Sequence, residues 1–349
     1  MRNHFALVIT TINSPSESVK RLAEIAGKWN VIVVGDKKTP AVWSCPGVNF
    51  VSVESQLVLD LALASKCRFN SYTRKNLGYL LAMAQGAQVI AETDDDNTPY
   101  CDFLTDVNSD VSARLVTSKG WVNIYTLFTP IRIWPRGFPL SDIIHSYEKA
   151  LECAEPTMHH CAVRQFLADG DPDVDAIYRL TQSGEVLFAT GSYVLDAGTY
   201  CPFNSQNTVW SEEAFHLMYL PGFVTFRMTD IWRSLIAQVC LHAVGGKVAF
   251  HGPTVYQHRN SHALLRDFAD EVPGYLRNEE ILDALCSVKL AADPARTADN
   301  LLACYEKLIS LNIVSKDELP LLEAWSADIA RINAAKRLTA LAKAKGSSA

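Results

Sequence analysis

The sequence predicts an α/β fold in which a doubly wound, mostly parallel sheet forms a nucleotide-type half and helices follow it. Over the first 100 residues, short apolar runs typical of buried strands alternate with segments of helical spacing, and the links are short. One strand ends in three consecutive aspartates, Asp94, Asp95 and Asp96. After about residue 275 only helical patterns follow. We therefore expect a domain at 1–270 and a helical extension with a flexible tail at 271–349.

The first part of the chain supplies the most regular patterns. The predicted elements are, in order, a strand at 5–11, a helix at 14–28, strands at 30–35 and 49–53, a helix at 71–86 and a strand that begins at Val89. Ser14 or Ser16 suits the N-terminal cap of the first helix, and Gly86 suits the end of the second. In such folds ligands bind beyond the carboxyl ends of the strands, which is where the three aspartates lie.

The second part is less regular. We expect strands at 121–128, 186–190 and 247–250, loops at 134–140 and 201–210, and helices at 228–244, 279–291, 297–311 and 317–345. The acids of DGDPDVDA at 169–176 alternate as they do at the start of a calcium loop. Val174 and Leu180 stand where that loop needs glycine and glutamate, so we exclude an EF-hand.

Composition limits the class of protein. The chain of 349 residues is 48% hydrophobic and has a net charge of −6 with a pI of about 5.9, which argues against a nucleic-acid partner. Nine cysteines are scattered without metal-ligand spacing, as in a protein with reduced thiols. No apolar run reaches the roughly 18 residues of a membrane span, and the one near the N-terminus is too short for a signal peptide. We therefore expect a cytoplasmic protein.

The three aspartates are the strongest chemical signal. Adjacent carboxylates repel one another unless water or a hard cation compensates their charge. If the segment is extended, Asp94 and Asp96 point to one side, as metal ligands would, and Asp95 points away, toward a ribose or a basic neighbour. The alternative is a solvated acidic turn. Neither GxGxxG nor GxxxxGK[ST] occurs among the turns of this half, so a nucleotide bound here needs side chains and a metal rather than a glycine cradle.

The stretch SYTRKNLGYLLAMAQGAQVIAETDDDN resembles the core of nucleotide-sugar glycosyltransferases of the GT-A fold. In those enzymes a helix with an Arg-Asn-x-Gly-like motif leads into a strand that ends in an Asp-x-Asp metal motif. Here the helix contains Arg74, Asn76 and Gly78, with one residue inserted after the arginine. The resemblance implies a GT-A-like, doubly wound mixed sheet.

Several segments more specifically resemble the STELLO family. They are ALVITTINSPSESVKRLAEIAGKWNVIVVGDKKTP, SYTRKNLGYL, IWPRGFPL, LADGDPDVDAIYRL, PFNSQNTVW and TDIWRSLIAQ. The resemblance covers about residues 5–262. STELLO proteins of plants are Golgi membrane proteins connected with cellulose synthase assembly. Because no membrane span is predicted here, we do not carry over that location or those partners.

A second resemblance is to plant UDP-arabinopyranose mutases, the reversibly glycosylated polypeptides. The shared motifs are Asp-Asp-Asp at 94–96, Arg-Gly-Phe-Pro at 136–139, Pro-Asp-Val-Asp-Ala at 172–176 and Asp-Ile-Trp at 230–232. The mutases carry sugar on an arginine of the second motif, which corresponds to Arg136. This resemblance implies an alternative function, a UDP-sugar mutase or self-glycosylating protein. A non-catalytic nucleotide-sugar-binding or assembly factor is a third.

The leading function implied by the resemblance is metal-dependent transfer from a UDP-sugar to an unknown acceptor, which could be a glycan, a lipid-linked molecule or a protein. The expected site comprises Asp94, Asp96 and His258 as ligands of Mn²⁺ or Mg²⁺; Thr10, Thr11, Asp36, Arg74 and Asp95 at the nucleotide; Asp230 as general base; and Arg136 at the diphosphate or as the attachment site. The plain alternatives are a turn aspartate for Asp36, a surface arginine for Arg74, a helix cap for Asp230 and, for Arg136, an arginine packed on Trp134. A homo-oligomer is left open.

Overall fold

Strands and helices alternate along the computed structural model, which describes residues 4–105, 107–258 and 263–346. The strands are β1 (Phe5–Thr11), β2 (Asn30–Gly35), β3 (Val48–Val51), β4 (Val89–Thr93), β5 (Asn97–Pro99), β6 (Asp110–Val116), β7 (Gly120–Trp121), β8 (Thr157–His160), β9 (Val163–Gly170), β10 (Ser192–Leu195), β11 (Thr199–Tyr200), β12 (Asn207–Ser211) and β13 (Val248–Gln257). The α-helices are α1 (Glu17–Ile25), α2 (Val53–Leu57), α3 (Lys75–Ala84), α4 (Ala176–Thr181), α5 (Thr229–Ala243), α6 (Leu264–Cys286), α7 (Thr297–Ser310) and α8 (Leu319–Gly346).

One large mixed sheet organises the molecule. Its strands follow the order β3-β2-β1-β4-β12-β9-β13-β10-β6-β8, and β5 pairs with β13 beside this path. Strands β1 to β4 pair in parallel, whereas β12 runs antiparallel to both β4 and β9. The predicted GT-A-like α/β architecture, a parallel nucleotide-type half within a mixed sheet followed by C-terminal helices, is confirmed.

Local chemistry explains the regular first half. The Ser16 side chain accepts a hydrogen bond from the backbone N–H of Val19 and caps α1, as one of the two predicted serines would. Along β1, Leu7 belongs to the apolar cluster on one face of the sheet and Val8 to the cluster on the other. Gly78 lets α3 approach β1 closely, because a Cβ at this position would lie 2.6 Å from Val8.

Three predictions for the second half were wrong. Half of the expected strand at 121–128 is a short 3₁₀ helix, Ile124–Leu127, and only Trp121 lies in a strand, β7. The expected strand at 186–190 is reduced to a single bridge at Val186. The expected loop at 201–210 contains β12, a central strand of the sheet. Its polar residues resemble a loop in sequence, but they are buried and hydrogen-bonded. For example, Asn207 donates to Thr254 Oγ1 at 3.0 Å and Thr208 donates to Gln165 Oε1 at 2.9 Å.

The C-terminal helices pack on the sheet domain. The Asp328 carboxylate accepts backbone hydrogen bonds from Ala62 and Leu63 at 2.8 and 2.9 Å, which ties α8 to the first half. Helix α6 already begins at Leu264 and runs through Pro273, so it spans the boundary expected after residue 270, which stays a prediction. Part of the expected flexible tail, residues 347–349, lies outside the described residues. Within the described part of the chain, no helix is both long and apolar enough to cross a membrane.

Candidate functional site

Three aspartates form a tight turn between β4 and β5, which we call the aspartate turn (residues 94–96). The Asn97 backbone N–H donates to the Asp94 carbonyl, so the segment is a turn and the extended conformation expected from the sequence is wrong. Asp95 faces β1, because its Oδ2 accepts from Thr11 Oγ1 at 2.6 Å and from Asn13 Nδ2 at 3.1 Å. Asp94 faces the segment before α3 instead, where Tyr72 donates to its Oδ1 at 2.8 Å.

Behind Asp94 lies a buried lysine. Lys75 Nζ donates to the Tyr72 hydroxyl at 2.8 Å and to the carbonyl oxygens of Thr93 and Ser205 at 2.9 and 3.1 Å. Its distance to Asp94 Oδ1 is 3.5 Å, and its side chain is fully buried. Lys75 therefore joins the end of β4 to the loop before β12 and supplies a positive charge beside the aspartate turn.

That charge does not balance the carboxylates. Burial raises the pKa of Asp94 despite Lys75. Burial and the charges of Asp94 and Asp95 raise the pKa of Asp96 to about 7. Asp94 and Asp96 are thus buried or partly buried oxygen ligands whose ionisation costs free energy, and a divalent cation would lower that cost. The donor set fits a hard cation such as Mg²⁺ or Mn²⁺.

Among the described residues, no group of three or more His, Cys, Asp or Glu side chains is arranged to bind a metal ion. A magnesium site needs no such group, because one or two carboxylates together with substrate phosphates are enough. His258 lies next to the aspartate turn, since its backbone N–H donates to the Asp96 carbonyl at 3.4 Å. Its side chain is exposed and packs against the Tyr256 ring, so its role as a metal ligand stays a prediction.

The residues expected at the nucleotide gather at the same edge of the sheet. Thr10 and Thr11 end β1 and lie beside Val34 and Gly35 of β2, directly before Asp36. Asp36 is buried and its carboxylate accepts from the backbone N–H groups of Lys37 and Ser71. The edge formed by β2, β1 and β4 therefore combines hydroxyl and carboxylate groups, as the order of the strands predicts.

Arg74 is not a surface arginine. It is 1% exposed, donates from Nε to Gln56 and from Nη1 to the Cys67 carbonyl, and stacks on Phe69 at 4.1 Å. Burial lowers the pKa of its guanidinium. Its Nη2 has no hydrogen-bond partner among the described residues. The exposed Lys37 lies over the same Phe69 ring at 4.4 Å, so two cations flank this aromatic side chain.

Arg136 lies in a second charged cluster, which we call the arginine hub (Arg136, Asp173 and Asp230). Its guanidinium binds Asp173 through Nε at 2.8 Å and Nη2 at 2.7 Å, and Asp230 through Nη1 and Nη2, both at 3.0 Å. The remaining Nη1 donor binds the Arg227 carbonyl. All five N–H donors are engaged in a side chain that is 5% exposed. Arg136 is therefore more than a plain loop arginine, since its guanidinium is neutralised by two carboxylates; the indole N–H of Trp134 donates to Asp175 at 2.6 Å.

Asp230 is not the cap of α5. The residue at the cap position is Met228, without a side-chain cap bond. The Asp230 carboxylate instead accepts from Arg136 and, through Oδ2, from the backbone N–H and the hydroxyl of Ser205 at 3.1 and 3.2 Å. Burial opposes its ionisation, but Arg136 and Arg233 outweigh burial and bring the pKa of Asp230 below its usual range. Its role as general base stays a prediction, although a carboxylate of such low basicity is a weak proton acceptor.

One hydroxyl links the two clusters. The Tyr72 hydroxyl lies 2.8 Å from Asp94 Oδ1 and 2.7 Å from Ser205 Oγ, and Ser205 Oγ donates to Asp230. Sequence reasoning did not select Tyr72, Ser205, Lys75 or Asp173 as site residues. All four lie within the motifs shared with the STELLO family, and this position in the sequence is the signal that could have identified them.

A buried ion pair anchors α5 beside the aspartate turn. Arg233 lies 2.8 Å from Glu92 of β4, and both side chains are fully buried. Trp210 of β12 also donates to the Glu92 carboxylate, at 2.8 Å. Asp230 precedes Arg233 by three residues on the same helix, and Glu92 precedes Asp94 by two on the chain. The Arg233–Glu92 ion pair therefore fixes the helix that carries Asp230 against the strand that leads to Asp94.

Comparison with known proteins confirms the resemblance to the STELLO family. Residues 227–339 match the model of the STELLO glycosyltransferases, a stretch that extends past residue 262 and includes α5 to α8. The Arabidopsis thaliana protein named "Probable glycosyltransferase STELLO2" is 30% identical over 288 residues, which cover 76% of this chain and 37% of the relative. A second Arabidopsis thaliana protein, "Probable glycosyltransferase STELLO1", is 30% identical over 273 residues, which cover 72% of this chain and 35% of the relative. The chain thus spans little more than a third of the length of these curated relatives.

Proposed function

The chain is related to the STELLO glycosyltransferases and contains their family domain, and from this premise we propose that it transfers a sugar from a UDP-sugar donor with the help of a divalent cation. The observation that carries the proposal is the convergence of Thr11, Asp36 and the aspartate turn at the carboxyl edge of three neighbouring parallel strands. This edge is where open α/β sheets bind ligands.

Asp94 and Asp96 would bind the cation, since their carboxylates are partly buried and repel each other. When bound, Mn²⁺ or Mg²⁺ supplies a Lewis acid that neutralises charge on the departing diphosphate. Asp95 acts through position: its bond to Thr11 fixes the turn against β1. Lys75 and Tyr72 fix Asp94 from the other side.

On the nucleotide side, Asp36 and Arg74 would frame the uridine. Asp36 is fixed by the Ser71 backbone, and Arg74 keeps one N–H group without a partner among the described residues. A buried donor without a hydrogen bond is costly, and a uracil or ribose oxygen would satisfy it. The Asp36 side chain is already ordered by its neighbours, whereas Arg74 Nη2 is buried, so a nucleotide would reach it only if the residues that cover this atom move.

Arg136 has a different role in this proposal. Burial alone would lower its pKa, but Asp173 and Asp230 raise the pKa of its guanidinium well above the usual value. A permanently charged guanidinium is a poor nucleophile, and with all five donors engaged none is left for a diphosphate. We therefore assign Arg136 and Asp230 to positioning: they fix the loop at 134–140 and the start of α5 beside Ser205. No structural observation favours the mutase alternative.

Isothermal titration with UDP, in manganese and in chelator, tests the proposal. We expect UDP to bind at least tenfold more tightly with manganese, and the variant Asp94→Asn with Asp96→Asn to lose this difference. The matched control is Asp299→Asn, which removes an exposed carboxylate of α7 and should change nothing. Equal UDP affinity with and without the cation would refute the metal role. Release of UDP from a panel of UDP-sugars then tests transfer, and tight binding without release would favour the non-catalytic alternative.

Intact-mass measurement after incubation with UDP-glucose, UDP-galactose or a UDP-pentose and manganese separates transfer from self-glycosylation. We expect an unchanged mass, because Arg136 stays protonated between two carboxylates. A one-sugar adduct that is absent in Arg136→Lys would overturn this assignment and support the mutase resemblance.

A further inference from the structure

A large apolar side chain projects into solvent close to the aspartate turn. Phe226 is 56% exposed and begins the short 3₁₀ helix Phe226–Met228 that leads into α5. A single exposed phenylalanine needs no explanation where the backbone is poorly anchored or no functional group lies nearby. Neither condition holds at this position.

The backbone on both sides of Phe226 is firmly anchored. Thr225 donates to the Asp270 carbonyl of α6 at 2.6 Å. Arg227 is buried and binds Glu271 of α6 at 2.8 Å, and Met228 is 1% exposed. The chain thus presents the Phe226 ring in a fixed place while its neighbours point inward. An aromatic side chain that is already held in place loses little further conformational entropy when a ligand covers it.

Phe226 contacts the site through Tyr72. The two rings are nearly perpendicular, with centroids 5.8 Å apart and an interplanar angle of 78°. In such an edge-to-face pair Tyr72 covers at most one face of the Phe226 ring, and the side chain as a whole is 56% exposed, so much of the ring is accessible to a ligand. The hydroxyl of the same Tyr72 donates to Asp94 Oδ1. A single tyrosine side chain therefore spans the gap between the open Phe226 ring and the aspartate turn.

An aromatic face beside polar groups fits the ring of a sugar. A pyranose presents a face of C–H groups that packs on an aromatic ring, while its hydroxyls at the rim bind polar side chains or water. The uridine side lies elsewhere: Ser71 contacts Asp36, whereas Tyr72, the next residue, contacts Asp94 and Phe226. A ligand on Phe226 would therefore approach the aspartate turn at Asp94, near the start of α5, whereas the nucleotide is proposed to contact Asp36.

We propose that Phe226 and Tyr72 form a stacking platform for a pyranose ring of the acceptor, so that the acceptor of this protein is a carbohydrate. The inference rests on the proposed function, since an acceptor has meaning only for a transferase. It goes further by assigning Phe226 to substrate binding and by naming the substrate class. It also predicts that Phe226 contributes nothing to UDP affinity.

Saturation-transfer NMR on the full chain tests the platform, with UDP and manganese present and methyl β-glucopyranoside, methyl β-galactopyranoside and methyl β-xylopyranoside as probes. We expect saturable binding of at least one glycoside to the unsubstituted protein. Phe226→Ala should weaken it by about fivefold, the size of a lost aromatic contact. Phe226→Trp should retain it. Phe226→Leu should resemble Phe226→Ala, because leucine keeps apolar volume without a flat ring.

The matched control is Met158→Ala, which removes a similarly exposed apolar side chain from β8 at the far edge of the sheet and should leave binding unchanged. Glycoside binding that is absent in the unsubstituted protein, or unaltered in Phe226→Ala, contradicts the platform. Equal binding by Phe226→Leu also contradicts it. If Phe226→Ala weakens UDP-glucose more than UDP, the ring contacts the donor sugar and the acceptor assignment is wrong.

Titration of UDP separates this result from the proposed function. UDP affinity should be the same in Phe226→Ala and in the unsubstituted protein, which also shows that the variant is folded. If UDP fails to bind the unsubstituted protein in manganese, the proposed function fails. If UDP binds and no glycoside signal depends on Phe226, the platform alone fails.

Discussion

The aspartate turn and the arginine hub use the same side chain in opposite ways. In the hub, Asp173 and Asp230 each form two hydrogen bonds with one guanidinium, and the pKa of Asp230 falls below its usual range. In the turn, Asp94 has Lys75 at 3.5 Å, and burial with mutual repulsion raises the pKa of Asp96 to about 7. The Tyr72 hydroxyl connects one cluster to the other.

The electrostatic surroundings of an acidic side chain indicate whether it stabilises the fold or binds a ligand. Carboxylates that a buried guanidinium neutralises have satisfied their electrostatic demand within the fold, and they stabilise the position of the elements that carry them. Carboxylates that raise one another's pKa lack such a neutralising partner, so binding of a cation would be favoured beside them. This criterion favours a structural role for the arginine hub and supports the proposal that the aspartate turn binds the ligand.

The largest effect should follow from removing the centre of the hub. Arg136→Met leaves Asp173 and Asp230 buried without their cation, and we expect the free energy of unfolding to fall by about 3–5 kcal/mol. Chemical denaturation measures it. Arg296→Met, which breaks an exposed pair with Asp299, is the matched control and should leave the free energy of unfolding nearly unchanged.

Should Arg136→Met fail to fold, Arg136→Lys provides the same measurement. It keeps the charge but cannot form four bonds to two carboxylates, so it should be destabilised by a smaller amount. A stability equal to that of the unsubstituted protein would show that the hub contributes nothing to the fold.

The same substitution in the two clusters should have opposite effects. Asp173→Asn removes a charge that Arg136 requires, and we expect a loss of about 3 kcal/mol. Asp96→Asn removes a charge that its neighbours disfavour, so without metal the protein should be as stable as before or more stable. Denaturation in chelator compares the two. A marked loss for Asp96→Asn would show that the carboxylates of the turn are as well compensated as those of the hub.

A pH series sharpens the contrast within one segment. Asp175, two residues from Asp173, is fully buried and binds Trp134 and the Tyr178 backbone, with no cationic partner among the described residues. Burial raises its pKa to about 6, and the charge of Glu271 adds to this. The folded state therefore binds more protons than the unfolded state between about pH 4 and pH 6, and stability falls as the pH rises through that window.

The expected loss between pH 4 and pH 6.5 is about 2 kcal/mol, from roughly 1.4 kcal/mol per unit of pKa difference. Asp175→Asn should remove this component, because an amide does not titrate. The comparison of the two denaturation series cancels the other carboxylates. If both proteins change equally with pH, Asp175 is not the group responsible.

The smallest effect concerns the link between the clusters. Tyr72→Phe removes the hydroxyl shared by Asp94, Ser205 and Lys75 but keeps the ring against Phe226. We expect a loss of about 1 kcal/mol, typical of one network hydrogen bond. A double-mutant cycle with Asp94→Asn should give a non-zero coupling energy. Strict additivity would mean that the turn does not depend on this hydroxyl.

Part of this architecture follows from the sequence alone. Strands β1, β2 and β4 with helices α1 and α3 were predicted at or near their observed bounds, because periodic burial is a property of contiguous residues. The placement of the aspartates at the sheet edge followed from the same local patterns. Strand β12 was missed, since its polar residues are buried only because residues 40 or more positions away bond to them.

The arginine hub was decided by the tertiary structure. Arg136, Asp173 and Asp230 belong to three separate sequence motifs. Asp173 and Asp230 follow Arg136 by 37 and 94 residues, so no local sequence pattern pairs them with it. The sequence suggested Arg136 as a diphosphate ligand or attachment site and Asp230 as a general base, but it gave no sign that the two side chains form an ion pair. The ionisation of a buried group depends on which charges surround it in space, and only the folded chain determines that.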